Sequence, residues 1–130
     1  MAMLNPYQQY QNQSAMTANP GELTLMLYNG LIKFINLAKA GIDNKDIEKS
    51  NNAIIRAQDI IQELSITLNM DYEISNSLGS LYDYIYNRLV DANLSKDKAP
   101  LDESMDLIVD LRDTWAEAIK INRRMTYGQG

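Results

Sequence analysis

Two kinds of side chain in this sequence are placed to do chemistry. The first is carboxylate pairs at helical spacing, Asp59–Glu63 and Asp106–Asp110. A spacing of four puts both members on one helix face. Such a pair can share a proton or hold a cation, but it needs further ligands or a general base. The chain has no histidine and no cysteine. That removes the commonest general base, the usual zinc ligands and the Glu-x-x-His pairs of a di-iron bundle. The serines lack the histidine of a hydrolase triad. Neither G-x-x-x-x-G-K-[ST] nor G-x-G-x-x-G occurs. The carboxylates therefore read as solvated faces, and no catalytic residue, metal ligand or cofactor is expected.

The second kind is tyrosine, of which there are eight. Tyrosine offers a large contact area with a polar tip, which suits surfaces that are sometimes covered and sometimes wet. Tyr7 and Tyr10 stand three apart in a leader, MAMLNPYQQYQNQSAMTANPG, that carries no charge before Glu22. They fit either a disordered tail with incidental aromatics or a one-turn apolar plug that docks on the rest of the chain. Tyr28, Tyr82 and Tyr86 fit core or contact roles, and Trp115 reads as core. Met26, Met70 and Met105 fit plain core filling or an adaptable groove.

The elements that must position these residues are helices. The 130 residues suit one domain, and 45% hydrophobic with 22% charged residues is ordinary for a soluble globular chain. The net charge of −5 argues against nucleic acid as a partner. The N-terminus has neither the basic start nor the apolar run of a signal peptide. No stretch reaches the roughly 20 apolar residues that span a bilayer. A cytoplasmic protein without membrane insertion is expected.

Helix one is predicted from Pro20, with Asn19 as N-cap, Glu22 three residues after it and Gly41 as C-terminal stop. Its stripe is Leu23, Met26, Leu27, Leu31, Phe34, Leu37 and Ala38, with Leu25, Ile32 and Ile35 outside it. Helix two is predicted from Asp43 or Asn44 to Asn69, on a seam of Ile47, Ser50, Ile54, Ala57, Ile61, Leu64 and Leu68. Ile55, Ile60 and Ile66 are extra. Helix three is predicted from Asp71 to Asn93, on Ile74, Leu78, Leu81, Tyr82, Ile85, Leu89 and Ala92. Helix four opens at Pro100 and runs to Asn122, on Leu101, Met105, Ile108, Leu111, Trp115 and Ile119. Arg123 and Arg124 would match its C-terminal dipole.

Short links make consecutive helices antiparallel neighbours. The expected fold is all-α, an up-down-up-down four-helix bundle. A flexible leader and groove cap would occupy 1–18, the bundle 19–122, and a frayed tail 123–130. Apolar residues beyond the stripes need a further neighbour, which points to a binding protein.

The segment TANPGELTLMLYNGLIKFI resembles the opening helix of the flagellin-specific export chaperones, the FliS family. Thr17, Ala18, Pro20, Leu23, Met26, Leu27, Tyr28, Asn29 and Gly30 match that family's pattern. LYDYIYNRLVDAN is similar to its third helix through Leu81, Tyr82, Asp83, Tyr84, Arg88, Leu89, Ala92 and Asn93. RAQDIIQEL, DTWAEAI and the leader NPYQQYQ also fit, so the resemblance runs from Asn5 to Ile121.

The resemblance implies a non-enzymatic bundle that holds the unfolded C-terminal segment of flagellin in the cytoplasm. It implies that the client wraps around the bundle and is then delivered to the flagellar type III export gate. Export-gate components and other flagellar regulators are further candidate partners. It also places the leader near Tyr7 and Tyr10 at a client groove. The expected flagellin contacts are Tyr7, Tyr10, Leu25, Tyr28, Ile32, Ile55, Ile60, Tyr82, Tyr86 and Leu89. Competing readings are a self-associating structural or regulatory bundle, an enzyme with an unusual carboxylate site, and a membrane-surface helix. The acidic balance argues against the last.

Overall fold

The computed structural model describes residues 20–128. Asn19, Tyr7, Tyr10 and the whole expected leader lie outside the described residues. Four helices follow one another: α1 (Pro20–Asp43), α2 (Ile47–Ile66), α3 (Ile74–Ser95) and α4 (Ala99–Gly128). Each packs on its sequence neighbour, and α4 returns to pack on α1. The result is the expected antiparallel four-helix bundle.

The ends of the helices differ from expectation for local reasons. Gly41 does not stop α1. The helix runs on to Asp43, and the chain turns at Lys45, which takes the left-handed conformation at φ 56°. The Asp46 N–H donates to the Gly41 carbonyl at 2.8 Å and the Lys45 N–H to the Ile42 carbonyl at 3.1 Å. These are the two bonds of a Schellman motif. Gly41 is needed for another reason. A Cβ there would lie 2.7 Å from the Ser50 backbone nitrogen, so α1 and α2 touch backbone to backbone.

α2 then starts later than predicted. Asp46, not Asp43 or Asn44, is its N-cap, and its side chain accepts from the Lys49 N–H at 3.0 Å. Asn69 and Asp71 belong to neither α2 nor α3. The Asn69 side chain accepts from the Asp71 N–H at 3.0 Å, and its carbonyl accepts from the Ser75 hydroxyl at 2.6 Å. An asparagine that closes its own turn competes with helix, which pushes the start of α3 to Ile74. α3 ends at a left-handed Lys96, whose N–H reaches the Ala92 carbonyl.

α4 begins one residue before Pro100, where the Asp97 carboxylate accepts from the Ala99 N–H at 3.0 Å. It runs past Asn122 to Gly128, through most of the segment expected to fray. After Pro100, in its first turn, no glycine or proline occurs before Gly128. Arg123 and Arg124 therefore sit inside the helix and not in its last turn, where the dipole is felt.

The core is closed and apolar. Leu27, Leu31, Ile54, Ile61, Leu64, Ile85, Leu89, Leu101 and Ile108 are all essentially sealed from solvent. Ile35 and Ile60, expected off the stripes, are core residues at 0% and 3% exposure. α1 meets both α2 and α4, and α2 meets both α1 and α3, so their buried arcs are wider than one seam. Ile47 and Ile74, expected on the stripes, are instead 68% and 63% exposed. Each is the first residue of its helix, where no neighbour extends far enough to cover it.

Candidate functional site

Two tyrosines organise the inside of the bundle. The Tyr28 and Tyr82 hydroxyls are 2.6 Å apart, joining α1 to α3 across the diagonal. Both phenols are pushed above the ordinary tyrosine value, chiefly by burial. For Tyr82 the bond to Tyr28 adds to the rise, whereas for Tyr28 the bond opposes it. The Tyr28 ring also meets Trp115 of α4 edge to face, with centroids 6.5 Å apart. The Trp115 indole N–H donates to the Gly21 carbonyl at 2.8 Å. Half-buried Trp115 thus fastens the first turn of α1 to α4 and accounts for its polar tip.

Among the described residues an apolar hollow lies on each side of α2. A groove of about 470 Å³ between α2 and α3 is lined by Ile61, Gln62, Ser65, Ile66, Tyr82, Asp83 and Tyr86. A smaller one of about 280 Å³ lies between α1 and α2, lined by Phe34, Leu37, Lys49, Asn52, Ala53 and Arg56. Its Phe34 ring has the Lys33 ammonium 5.5 Å and the Arg56 guanidinium 6.0 Å from its centroid. Cations over an aromatic face are mildly favourable at such exposed sites.

The expected contact residues divide by depth. Leu25 and Ile32 are half-buried on α1, Ile55 is 43% exposed on α2, and Tyr86 is half-buried in the wall of the larger groove. Tyr28, Ile60, Tyr82 and Leu89 are core residues, although the Tyr82 ring also floors the groove. Sequence reasoning did not single out Phe34, Leu37, Tyr72 or Ile74 as surface, whereas Met70 was open to a groove role. Around the α2–α3 loop Ile66, Met70, Tyr72 and Ile74 are all more than 60% exposed. Ile66 carried a signal, since it falls off the α2 seam, but Tyr72 sits in a loop without periodicity.

Polar contacts also tie the helices to one another. Asn93 donates to Asn51 at 2.9 Å between α3 and α2, and Arg112 donates to Asn29 at 3.0 Å between α4 and α1. Lys39–Asp102 and Lys98–Asp43 tie the far ends of α1 and α4 at 2.6 and 2.5 Å. Arg88 pairs with Asp91 and Glu103, and Glu103 also accepts from the Tyr84 hydroxyl. Among the described residues no group of three or more acidic, histidine or cysteine side chains could hold a metal. Asp59, Asp106 and Asp110 are exposed and Glu63 is half-buried. No described helix is long and apolar enough to cross a membrane.

Comparison with known proteins places this geometry. The family model described as "Flagellar protein FliS" matches residues 3–122. A protein named flagellar secretion chaperone FliS from Bacillus subtilis is 52% identical over 130 residues, covering 100% of this chain and 98% of the relative. One of the same name from Salmonella typhimurium is 30% identical over 118 residues, 88% of this chain and 87% of the relative. A third, from Campylobacter jejuni, is 31% identical over 113 residues, 85% of this chain and 88% of the relative. A match that spans all four helices, on a bundle of the expected architecture, leaves one assignment: the chain belongs to the FliS family.

Proposed function

We propose that this protein is a cytoplasmic flagellar export chaperone that binds the disordered C-terminal segment of flagellin. By covering that segment it prevents premature polymerisation, and it assists delivery to the flagellar type III export apparatus. The observation that carries the reading is a sealed core beside unfilled apolar surface. The two hollows flanking α2, with half-buried Leu25, Ile32 and Tyr86 and exposed Ile55, offer seats for apolar side chains that the fold does not itself use. An amphipathic client that lays its apolar faces into such grooves orders only on binding, which keeps release possible. Wrapped contact would bury roughly 2,000 Å² or more, above the standard interface class. The role needs no catalytic group and no cofactor.

Within this reading Tyr7 and Tyr10 belong to a leader that shields the client surface and moves aside when flagellin arrives. Export-gate components and other flagellar regulators would meet the loaded chaperone.

Titration calorimetry with the C-terminal segment of the cognate flagellin, about 40 residues, tests the reading. Saturable one-to-one binding with a negative heat-capacity change is expected, as apolar burial requires. Absence of binding at high micromolar concentration, with light scattering showing a stable dimer, would favour self-association instead.

A further inference from the structure

The charge of this chain is unevenly placed. Between Arg56 and Arg88 there is no lysine or arginine, while Asp59, Glu63, Asp71, Glu73 and Asp83 all lie there. This stretch folds as the second half of α2, the α2–α3 loop and the first half of α3, so it forms one end of the α2–α3 layer. The two flanking arginines are occupied elsewhere: Arg56 with the Phe34 ring towards α1, and Arg88 with Asp91 and Glu103 towards α4. Among the described residues no ion pair engages Asp59, Asp71, Glu73 or Asp83.

The same end displays apolar surface. Ile66 is 82% exposed, and Met70, Tyr72 and Ile74 are 62%, 63% and 63% exposed. Ile66 also joins this patch to the α2–α3 groove, where Asp83 stands in the wall beside Tyr86. The loop that presents these side chains is held in one shape. Asn69 accepts from the Asp71 and Tyr72 N–H groups and the Ser75 hydroxyl, and the Ser75 N–H donates to the Tyr72 carbonyl. An apolar patch of this kind, rimmed by charge, marks an interaction site.

We propose that this end of the α2–α3 layer docks a basic amphipathic segment of a partner protein. Its apolar side chains enter the groove against Ile66 and Tyr86, and its lysines or arginines meet Asp71, Glu73 and Asp83. Charge decides among occupants. An uncharged apolar segment would cover the rim carboxylates without compensating them, and an acidic one would add repulsion. A basic segment gains the apolar burial and the attraction together, and its arrival is steered by the unpaired field. The groove against Ile66 and Tyr86 is also one of the two hollows offered to flagellin, so the two segments would compete there, and what this proposal adds is the basic partner that the rim carboxylates select.

The test titrates the full chain with a leucine/lysine amphipathic peptide of about 14 residues, long enough to become helical when docked. A leucine/glutamate peptide of the same pattern is the control. Calorimetry gives affinity, and backbone amide shifts give location. The lysine peptide should bind saturably, with shifts concentrated in residues 61–86, and the glutamate peptide should not. Asp71→Asn with Asp83→Asn should weaken it about fivefold or more, as loss of two facing charges predicts. Ile66→Ser with Tyr72→Ser should do the same through lost apolar contact. Asp106→Asn with Asp110→Asn removes as much charge from α4, and Leu94→Ser removes an exposed apolar residue from the other end of α3. Neither should change affinity by more than about twofold, since surface charges beyond a Debye length are screened. All these positions are exposed, so the fold survives the changes. Equal weakening by the two aspartate pairs, equal binding of the glutamate peptide, shifts centred elsewhere, or no saturable binding would each overturn the proposal. Binding of the lysine peptide without binding of flagellin would leave this inference standing and remove the flagellin reading.

Discussion

The phenolic oxygens of Tyr28 and Tyr82 meet at 2.6 Å across the diagonal of the bundle, although α1 and α3 do not pack on each other. The pair works as a crossbrace in a core otherwise made of leucine, isoleucine and alanine. Each hydroxyl satisfies the other in a place where water does not. Removing one leaves its partner buried and unpaired, at a cost of about 1–3 kcal/mol. Removing both leaves two apolar rings of nearly the same shape. Tyr28→Phe and Tyr82→Phe should therefore each destabilise, while the double variant should be less destabilised than the sum. Urea denaturation of the four proteins measures this as a favourable coupling between the two sites. Additive losses would show that the hydroxyls do not depend on each other.

The same pair predicts a sensitivity to alkali. Both folded-state phenols titrate above the ordinary value of 10.0, mainly because burial penalises the anion. Above that value the unfolded chain loses these protons while the folded chain keeps them. The folded state then binds more protons, so stability falls as pH rises. The contribution is complete below pH 10.0 and is lost progressively above it. Stability followed from pH 8 to pH 12, roughly the range bracketing ordinary tyrosine titration, should stay level and then decline. Replacing both tyrosines by phenylalanine should remove much of the decline.

Gly41 and Gly79 make a paired prediction, because both are helical and only one is crowded. A Cβ at Gly41 would stand 2.7 Å from the Ser50 nitrogen and 3.0 Å from its Cα, and backbone cannot swing away. A Cβ at Gly79 would meet only the end of the Leu68 side chain at 3.6 Å, an ordinary contact. Alanine gains about 0.8–1 kcal/mol of helix propensity over glycine at either place. Gly79→Ala should therefore stabilise by up to about that amount. Gly41→Ala should destabilise by about 1–3 kcal/mol, since overpacking outweighs the propensity gain. Thermal melts of the two variants give the signs directly.

What the sequence revealed and withheld follows from the same contacts. Periodicity identified four helices, their antiparallel order and most of the core, because apolar spacing reports which face turns inward. It misplaced Ile35 and Ile60 because period alone does not say how many neighbours a helix has. It misplaced Ile47 and Ile74 because a stripe extends to a helix end even where no neighbour covers it. It took Gly41 for a helix stop because glycine serves turns and close approaches alike, and only the distance to Ser50 separates the two. Tyr28 and Tyr82 were legible as core or contact but not as partners, since spacing along each helix carries no register between them. On the surface, Ile55 was visible as an off-stripe residue, and Tyr86 and Met70 as side chains open to a contact role. Tyr72 was not, because its loop has no period to depart from.

The leader offers the sharpest functional prediction. It brings tyrosines and no charge to a protein whose described surface has apolar hollows and whose first described turn is fastened to Trp115. If residues 1–16 shield the client surface, binding flagellin must displace them, and the free energy of that displacement subtracts from the observed affinity. Deleting residues 1–16 should then tighten binding of the flagellin C-terminal segment or quicken its association. Tyr7→Ser with Tyr10→Ser should reproduce most of the effect without shortening the chain. Surface plasmon resonance separates the two rates. Shielding predicts a faster association with dissociation little changed. A faster dissociation in the truncated protein would instead make Tyr7 and Tyr10 direct client contacts, and identical rates in all three proteins would remove the leader from the mechanism.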